Sequence, residues 1–418
     1  MPSTVCRFSV VVILIVGAVA VSLAQTQPAA LVEQARKEAL KLREPEQRAI
    51  ALADVAVTWH RLGEPQAVTT LAEASETAAQ VEEVVARPLT WRGLAIRARE
   101  VAPEQANQFA ERAIEAAEKL PYAAHRAMVL REIGRTVADP ARAKELFAQA
   151  AKAAREISAP VFRAAALRDL AGAMAATDPA GAVAFFKEAA DAVVAIPDTD
   201  ETAGLAQQEL VTAWSLVDVE QALQEASGIA DERLRQVAYR RMCQALSEAS
   251  PDAAMRVVPR LTDPGQRALA MAAIAASLPA SQAEMAAAMA RAALGLGAQL
   301  PAEDQARLEA DVAVAMAAVD APGALAMLTK VDDEEVAGRA LGRIALMLAP
   351  SQSRQASQLL AAVEDFEVRE NYQAQLAPVV AKTDLAAGIE LADGLLSRRH
   401  KVRALLAIAE QLGSSTRE

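Results

Sequence analysis

The apolar positions of this chain repeat with the period of a helix, and the pattern then recurs on a longer scale. Residues 129–150 read VLREIGRTVADPARAKELFAQA, and residues 166–189 read ALRDLAGAMAATDPAGAVAFFKEA. Setting Ile133 and Leu170 as equivalent anchors brings out further anchors at Val55, Leu94, Leu210, Met242, Ile274, Val314, Ile344, Leu376 and Ile408. Leu52 with Trp59, Leu130 with Val137 and Leu167 with Met174 stand three before and four after their anchors. That spacing lines one face of an amphipathic helix. The residue after the anchor is never large: Ala56, Ala95, Gly134, Ala171, Val211, Cys243, Ala275, Ala315, Ala345, Ala377 and Ala409. Two helices must approach closely there, and a bigger side chain would overpack the contact at a cost of about 1–3 kcal/mol.

Some nine residues past the anchor comes a turn, often with proline: Pro65, Pro103, Pro140, Pro179, Pro251 and Pro322. Asp139, Asp178 and Ser250 precede three of these. A capping side chain followed by proline starts a helix without losing an intrahelical donor. The second helix has its own face, as in Ala143, Phe147, Ala150 and again in Ala182, Phe186, Ala189. Each repeat is therefore a helical hairpin, and anchor intervals cluster near 39 and near 32 residues.

Here the chain resembles the tetratricopeptide repeat. Trp91, Leu94-Ala95, Ala106, Ala110, Ala113 and Leu130, Ile133-Gly134, Ala143, Phe147, Ala150 follow that family's pattern. The resemblance covers about residues 47 to 412, but the lengths vary as in HEAT-type repeats and the closing proline is usually missing. It implies an all-α, right-handed α-solenoid of about ten antiparallel hairpins that binds proteins and carries no chemistry of its own. At the ends, residues 31–43 read as a lone outer helix, and Leu412-Gly413 reads as a helix stop with no outer helix after it. Both are expected to cap a rod on the order of 100 Å along its contour. The expected divisions are a signal peptide over 1–24, a capping helix within 25–46 and the hairpin array over 47–418.

Composition agrees with an all-α chain. Of 418 residues, 53% are apolar and only 3% aromatic, so alanine and the aliphatics must build the core. Alanine has the highest helix propensity, whereas a sheet would need β-branched and aromatic residues in alternation. A net charge of −11 with interspersed signs argues against nucleic acid as a partner. The amino terminus has Arg7, an apolar run from Phe8 to Ala24, and small residues at Ser22 and Ala24 before Gln25. That is the pattern of a secretory signal, making the mature chain periplasmic or extracellular. A retained membrane anchor, and with it a membrane-tethered assembly factor, is the rival reading. Cys6 would leave with the signal, so Cys243 remains alone and no internal disulfide is expected.

Candidate chemistry is sparse. His60, His125 and His400 lie in different repeats with no metal-ligand spacing, and the VDDEEV run (331–336) lacks the central glycine of a calcium loop. No metal, cofactor or catalytic residue is expected. Cys243 occupies a small-residue slot, and Trp59, Trp91 and Trp214 occupy core positions. Arginine recurs seven before the anchor, at Arg48, Arg87, Arg126, Arg163, Arg235, Arg267, Arg307 and Arg369. There it is expected to clamp carbonyls at the end of the preceding outer helix. A second row stands two before the anchor (Arg92, Arg131, Arg168 and Arg240), with Glu132, Asp169 and Glu209 one before it. Two before the anchor is about 160° round the helix, a side expected to face a concave groove. The row is either a binding strip for an acidic segment of a protein partner or a solvated ladder between neighbours. The functional expectation is an exported interaction scaffold. The alternative is a helical toroid acting on polysaccharide, which would need a carboxylate pair in an aromatic-lined cleft.

The register makes a direct prediction: Ile133→Ala costs about 2–5 kcal/mol in denaturant melts. A loss below about 0.5 kcal/mol would refute the alignment.

Overall fold

A computed structural model describes residues 27–197, 200 and 202–415. The expected signal peptide over 1–24 and its expected cleavage before Gln25 lie outside them. The described residues hold helices and connecting turns, without a strand. In order these are α1 (Pro28–Leu40), α2 (Pro45–Leu62), α3 (Gln66–Ala79), α4 (Ala86–Val101), α5 (Pro103–Glu118), α6 (Ala123–Gly134), α7 (Pro140–Arg155) and α8 (Pro160–Met174). Then come α9 (Pro179–Val194), α10 (Thr202–Ser215), α11 (Val219–Ser227), α12 (Glu232–Ala249), α13 (Pro251–Val257), α14 (Pro264–Ser277) and α15 (Ala283–Leu296). The last seven are α16 (Ala302–Met316), α17 (Ala321–Leu328), α18 (Glu334–Leu348), α19 (Ser353–Ala361), α20 (Phe366–Ala381), α21 (Leu385–Asp393) and α22 (Arg398–Ser415).

Every anchor lies on an even-numbered helix, and none is more than 2% exposed. Each even helix pairs with the odd helix that follows it, and consecutive even helices pack on one another. Among the described residues no two odd helices pack closely, and they meet through side-chain ion pairs such as Arg36–Glu73 at 2.7 Å and Arg155–Glu188 at 2.8 Å. The layer whose members pack closely is on the inside of a curve and the splayed layer is outside, so even helices are inner and odd helices outer. The small residue after the anchor is the crossing point within a hairpin. A Cβ on Gly134 would meet the Phe147 ring at 2.9 Å, and the Cys243 sulfur lies 3.7 Å from the Ala254 carbonyl.

The turns behave as their residues dictate. Asp139, Asp178, Asp218, Ser250 and Asp320 each accept a backbone N–H in the first turn of an outer helix. Asp333 caps α18 in the same way, which accounts for the acidic run there. Seven of the eight arginines seven before the anchor donate to the carbonyl six residues back, that of the apolar residue leaving each outer helix. Six of these bonds measure 2.7–3.0 Å. Arg307 is the exception. Its apolar counterpart, Leu300, stands seven residues back, and Arg307 pairs with Glu303 at 2.6 Å instead.

The ends overturn the expectation of two caps and a rod. Helix α1 packs along α22 as its outer helix, and α22 packs on α2, so the eleventh hairpin is assembled from the two ends and the array closes into a ring. One continuous apolar cluster runs from Leu31 and Val32 of α1 to Leu405 and Ile408 of α22. Around it, Gln34 Nε2 donates to Asp393 at 2.7 Å, Thr58 Oγ1 donates to Glu410 at 2.9 Å, and Arg61 pairs with Glu410 at 3.0 Å. Fully burying a leucine or valine is worth about 1.5–3 kcal/mol, against roughly 0–1 for an exposed ion pair, so the apolar seam dominates. Gly413 does not stop a helix. It lies within α22, where an added Cβ would fall 2.2 Å from the Leu62 side chain.

Ring closure predicts that cysteines replacing Gln34 and Asp393 are joined within one molecule by a short bismaleimide, and not in urea. Links only between molecules would refute closure. Gly413→Leu should lower stability by about 1–3 kcal/mol.

Candidate functional site

The arginine row stands at the seam between consecutive inner helices, and Arg131, Arg168 and Arg240 also line cavities on the inner face. Position −2 lies in the seam between consecutive inner helices: Ala53, Ala272 and Val312 are fully buried there, and Gln208 is nearly so. The arginines at this position therefore reach across the seam. Arg92 donates from Nε to the Glu132 carbonyl at 2.7 Å and pairs with the Glu132 carboxylate at 3.1 Å. Arg131 pairs with Asp169 at 2.7 Å and with Glu132 at 3.0 Å. Arg168 pairs with Glu209 and, at 2.9 Å, with Asp169. Asp169 and Glu209 hold the Arg168 guanidinium above its ordinary pKa, even though burial, the largest single influence, acts the other way.

This ladder continues backwards across the closure. Arg97 pairs with Asp54 at 2.6 Å, and Arg61 bridges Glu100 at 2.8 Å and Glu410 at 3.0 Å. Six consecutive inner helices, α22, α2, α4, α6, α8 and α10, are thereby linked by charge. Of the residues singled out from sequence, Arg92, Arg131, Arg168, Glu132, Asp169 and Glu209 all belong to the ladder. Arg240 does not. Among the described residues its guanidinium donates only to the amide oxygens of Gln266 at 2.7 Å and Gln244 at 3.1 Å. A shorter link, Arg343 to Asp311 at 3.3 Å and to the Ala276 carbonyl at 2.9 Å, joins α18, α16 and α14.

Two adjoining cavities open on the inner face beside the ladder. One of about 650 Å³ lies among α6, α8 and α10 and includes Gly172, whose missing Cβ would meet nothing within 4 Å. The other, of about 660 Å³, lies among α8, α10, α12 and α16. They share Arg168, Asp169, Ala213 and Leu216, and so form one groove. The second cavity also holds Arg240, Arg241 and Arg307. Sequence reasoning missed Arg241 and Gly172. The available signal for Arg241 was a reversed sign at position −1, where Asp54, Glu132, Asp169 and Glu209 stand in other repeats.

Other candidates resolve into structure. Glu370, buried, accepts the Ser397 amide at 3.0 Å and that of Leu396, stapling the loop before α22. Gln236, also six before its anchor, holds the Thr262 and Asp263 amides in the same way. His400 Nδ1 lies 3.7 Å from Glu370. The tryptophans are core residues: Trp214 stacks on Phe186 at 5.2 Å, and Trp91 leans on Phe109 at 5.6 Å. No group of His, Cys, Asp and Glu among the described residues could hold a metal ion. Nor is any described helix long and apolar enough to cross a membrane.

The sequence matches no protein-family profile and no curated protein. Among solved structures it is similar to the crystal structure of Ton1535 from Thermococcus onnurineus NA1, at 16% identity and a TM-score of 0.37. That alignment covers 76% of this chain and 98% of Ton1535.

Burial pushes the Cys243 thiol up to about 12 from 9.0. Between those values the unfolded chain releases a proton that the ring retains. Stability should therefore fall with rising pH, by about 1.4 kcal/mol per unit from this group. Cys243→Ala should flatten urea-unfolding stability above about pH 9 relative to the parent. Identical slopes in the two proteins would refute the assignment.

Proposed function

We propose that this chain is an exported helical-repeat scaffold that binds a protein partner through the inner face of its ring. The observation that carries the reading is the groove from α6 to α16, two adjoining cavities held open by helices locked to their neighbours on both sides. Pre-organisation of this kind lowers the cost of binding an extended segment, because the receptor loses little freedom on association. Export rests on the amino-terminal pattern of Arg7, the apolar run and the small residues before Gln25.

A second reading, a toroid acting on polysaccharide, is favoured by ring closure itself. Against it, the tryptophans that would stack on sugar rings are at most 6% exposed, and Asp169 and Glu209 are both engaged by Arg168.

The two readings separate in one experiment. Gly172→Trp fills the groove from a position where an added Cβ meets nothing within 4 Å, so the ring should fold normally. Cross-linking capture by residues 25–418 from the native extract should recover a partner that Gly172→Trp holds at least about tenfold more weakly. Equal capture by both proteins would remove the groove from the reading. Release of reducing ends from polysaccharide by the parent, lost in Gly172→Trp, would establish the toroid enzyme in its place.

A further inference from the structure

The ladder follows a rule, and it breaks at one place. An arginine two before one anchor meets an acid one before the next: Arg92 with Glu132, Arg131 with Asp169, Arg168 with Glu209. At the following step both partners change. Helix α10 supplies Gln208 in place of arginine, and α12 supplies Arg241 in place of an acid. One step further, Arg240 faces α14, whose residue at that position is Ala273, and it settles for two glutamine oxygens. Arg241 has neither a hydrogen bond nor an ion pair among the described residues, whereas Arg92, Arg131 and Arg168 each have a carboxylate. Arg307 also reaches this place, having lost its carbonyl partner to the extra residue before it and taken Glu303 at 2.6 Å instead.

These groups converge on the cavity of about 660 Å³ among α8, α10, α12 and α16. Arg168, Arg240, Arg241 and Arg307 line it with Asp169 and Glu209; Glu303 at 2.6 Å and Asp304 at 3.9 Å pair with Arg307, so Arg240 and Arg241 are the two left there without a carboxylate among the described residues. Burial lowers the pKa of the Arg240 guanidinium; Asp304 opposes this, while Arg241 and Arg307 add to it. Gln244 spends its amide oxygen on Arg240, and its amide nitrogen has no acceptor among the described residues. A ligand bringing negative charge here would meet planar forked donors already in place. Asp169 and Glu209 on the wall limit how much negative charge is welcome, which favours single carboxylates over a phosphate dianion. The adjoining cavity and the exposed Leu216 at the junction extend the site for a longer ligand with an apolar residue beside its acid.

We propose that this break in the ladder is a carboxylate-binding site for an acidic, extended peptide segment, with Arg241 as the principal ion-pairing group and Arg240, Arg307 and Gln244 around it. The proposal rests on the reading of the ring's inner face as the binding face, and it names the chemistry of the partner. The test is isothermal titration of residues 25–418 at low salt with a blocked glutamate–leucine pentapeptide, with citrate and inorganic phosphate as comparisons. The peptide should bind one to one, less tightly as salt rises. Arg241→Gln, which removes a side chain with no partner, should melt with the parent and bind at least about tenfold more weakly. Absence of binding by both peptide and citrate, an unchanged affinity in Arg241→Gln, or tighter binding of phosphate would each overturn the site. Citrate bound at Arg241 without the peptide would keep a carboxylate site but overturn the peptide as its occupant. The scaffold reading would stand or fall separately, on the capture result for Gly172→Trp.

Discussion

A stack of helical hairpins has two raw ends, each with an apolar face that no neighbour covers, and in this chain each end covers the other. Helix α22 brings an inner helix's anchor, Ile408, and its small neighbour, Ala409, both fully buried, and its outer partner is α1. Their union completes the eleventh hairpin and leaves no exposed end face to be capped. The order of all the inner helices follows from that contact, since each is then held by a neighbour on both sides. The groove inherits its rigidity from the same source.

Much of the hairpin was legible because its determinants are local. An anchor, a small residue one position on, and a cap with proline at the turn specify a crossing of two helices, and all eleven anchors are buried. The arginine clamp was legible for the same reason, since a donor at one helix start and a carbonyl six residues earlier need no distant information. Arg307 shows how tight that geometry is: one added residue between Leu300 and the arginine suffices to break it. Closure was not legible. It results from small rotations summed over many repeats, and no single repeat encodes the sum. Gly413 illustrates the cost of reading locally. At the end of a chain a glycine suggests a stop, yet the residue that requires it, Leu62, is more than three hundred positions away.

The candidate site was half legible. The arginine row and its acids were found as a pattern, and of the two readings offered, the ladder between neighbours describes Arg92, Arg131 and Arg168. At the seam the regular members of the row became mutual partners. The irregular member, Arg241, became the residue of interest. It is at departures from a consistent local rule that function is most often accommodated.

Why such a departure can persist follows from magnitudes. The ladder pairs are half-buried at the inner edge, where an ion pair contributes roughly 0–1 kcal/mol. Burying each anchor contributes about 1.5–3 kcal/mol by comparison. Removing one rung therefore costs the fold little, whereas removing one anchor costs it heavily. The ladder's main effect is on which helix sits beside which, since a mismatched neighbour would leave a half-buried guanidinium without an acid. Between α10 and α12 that check is absent, and neighbour choice there rests on the apolar seam of Leu210, Trp214 and Met242. The packing carries the fold across the gap in the ladder, and that leaves Arg240 and Arg241 available to a ligand.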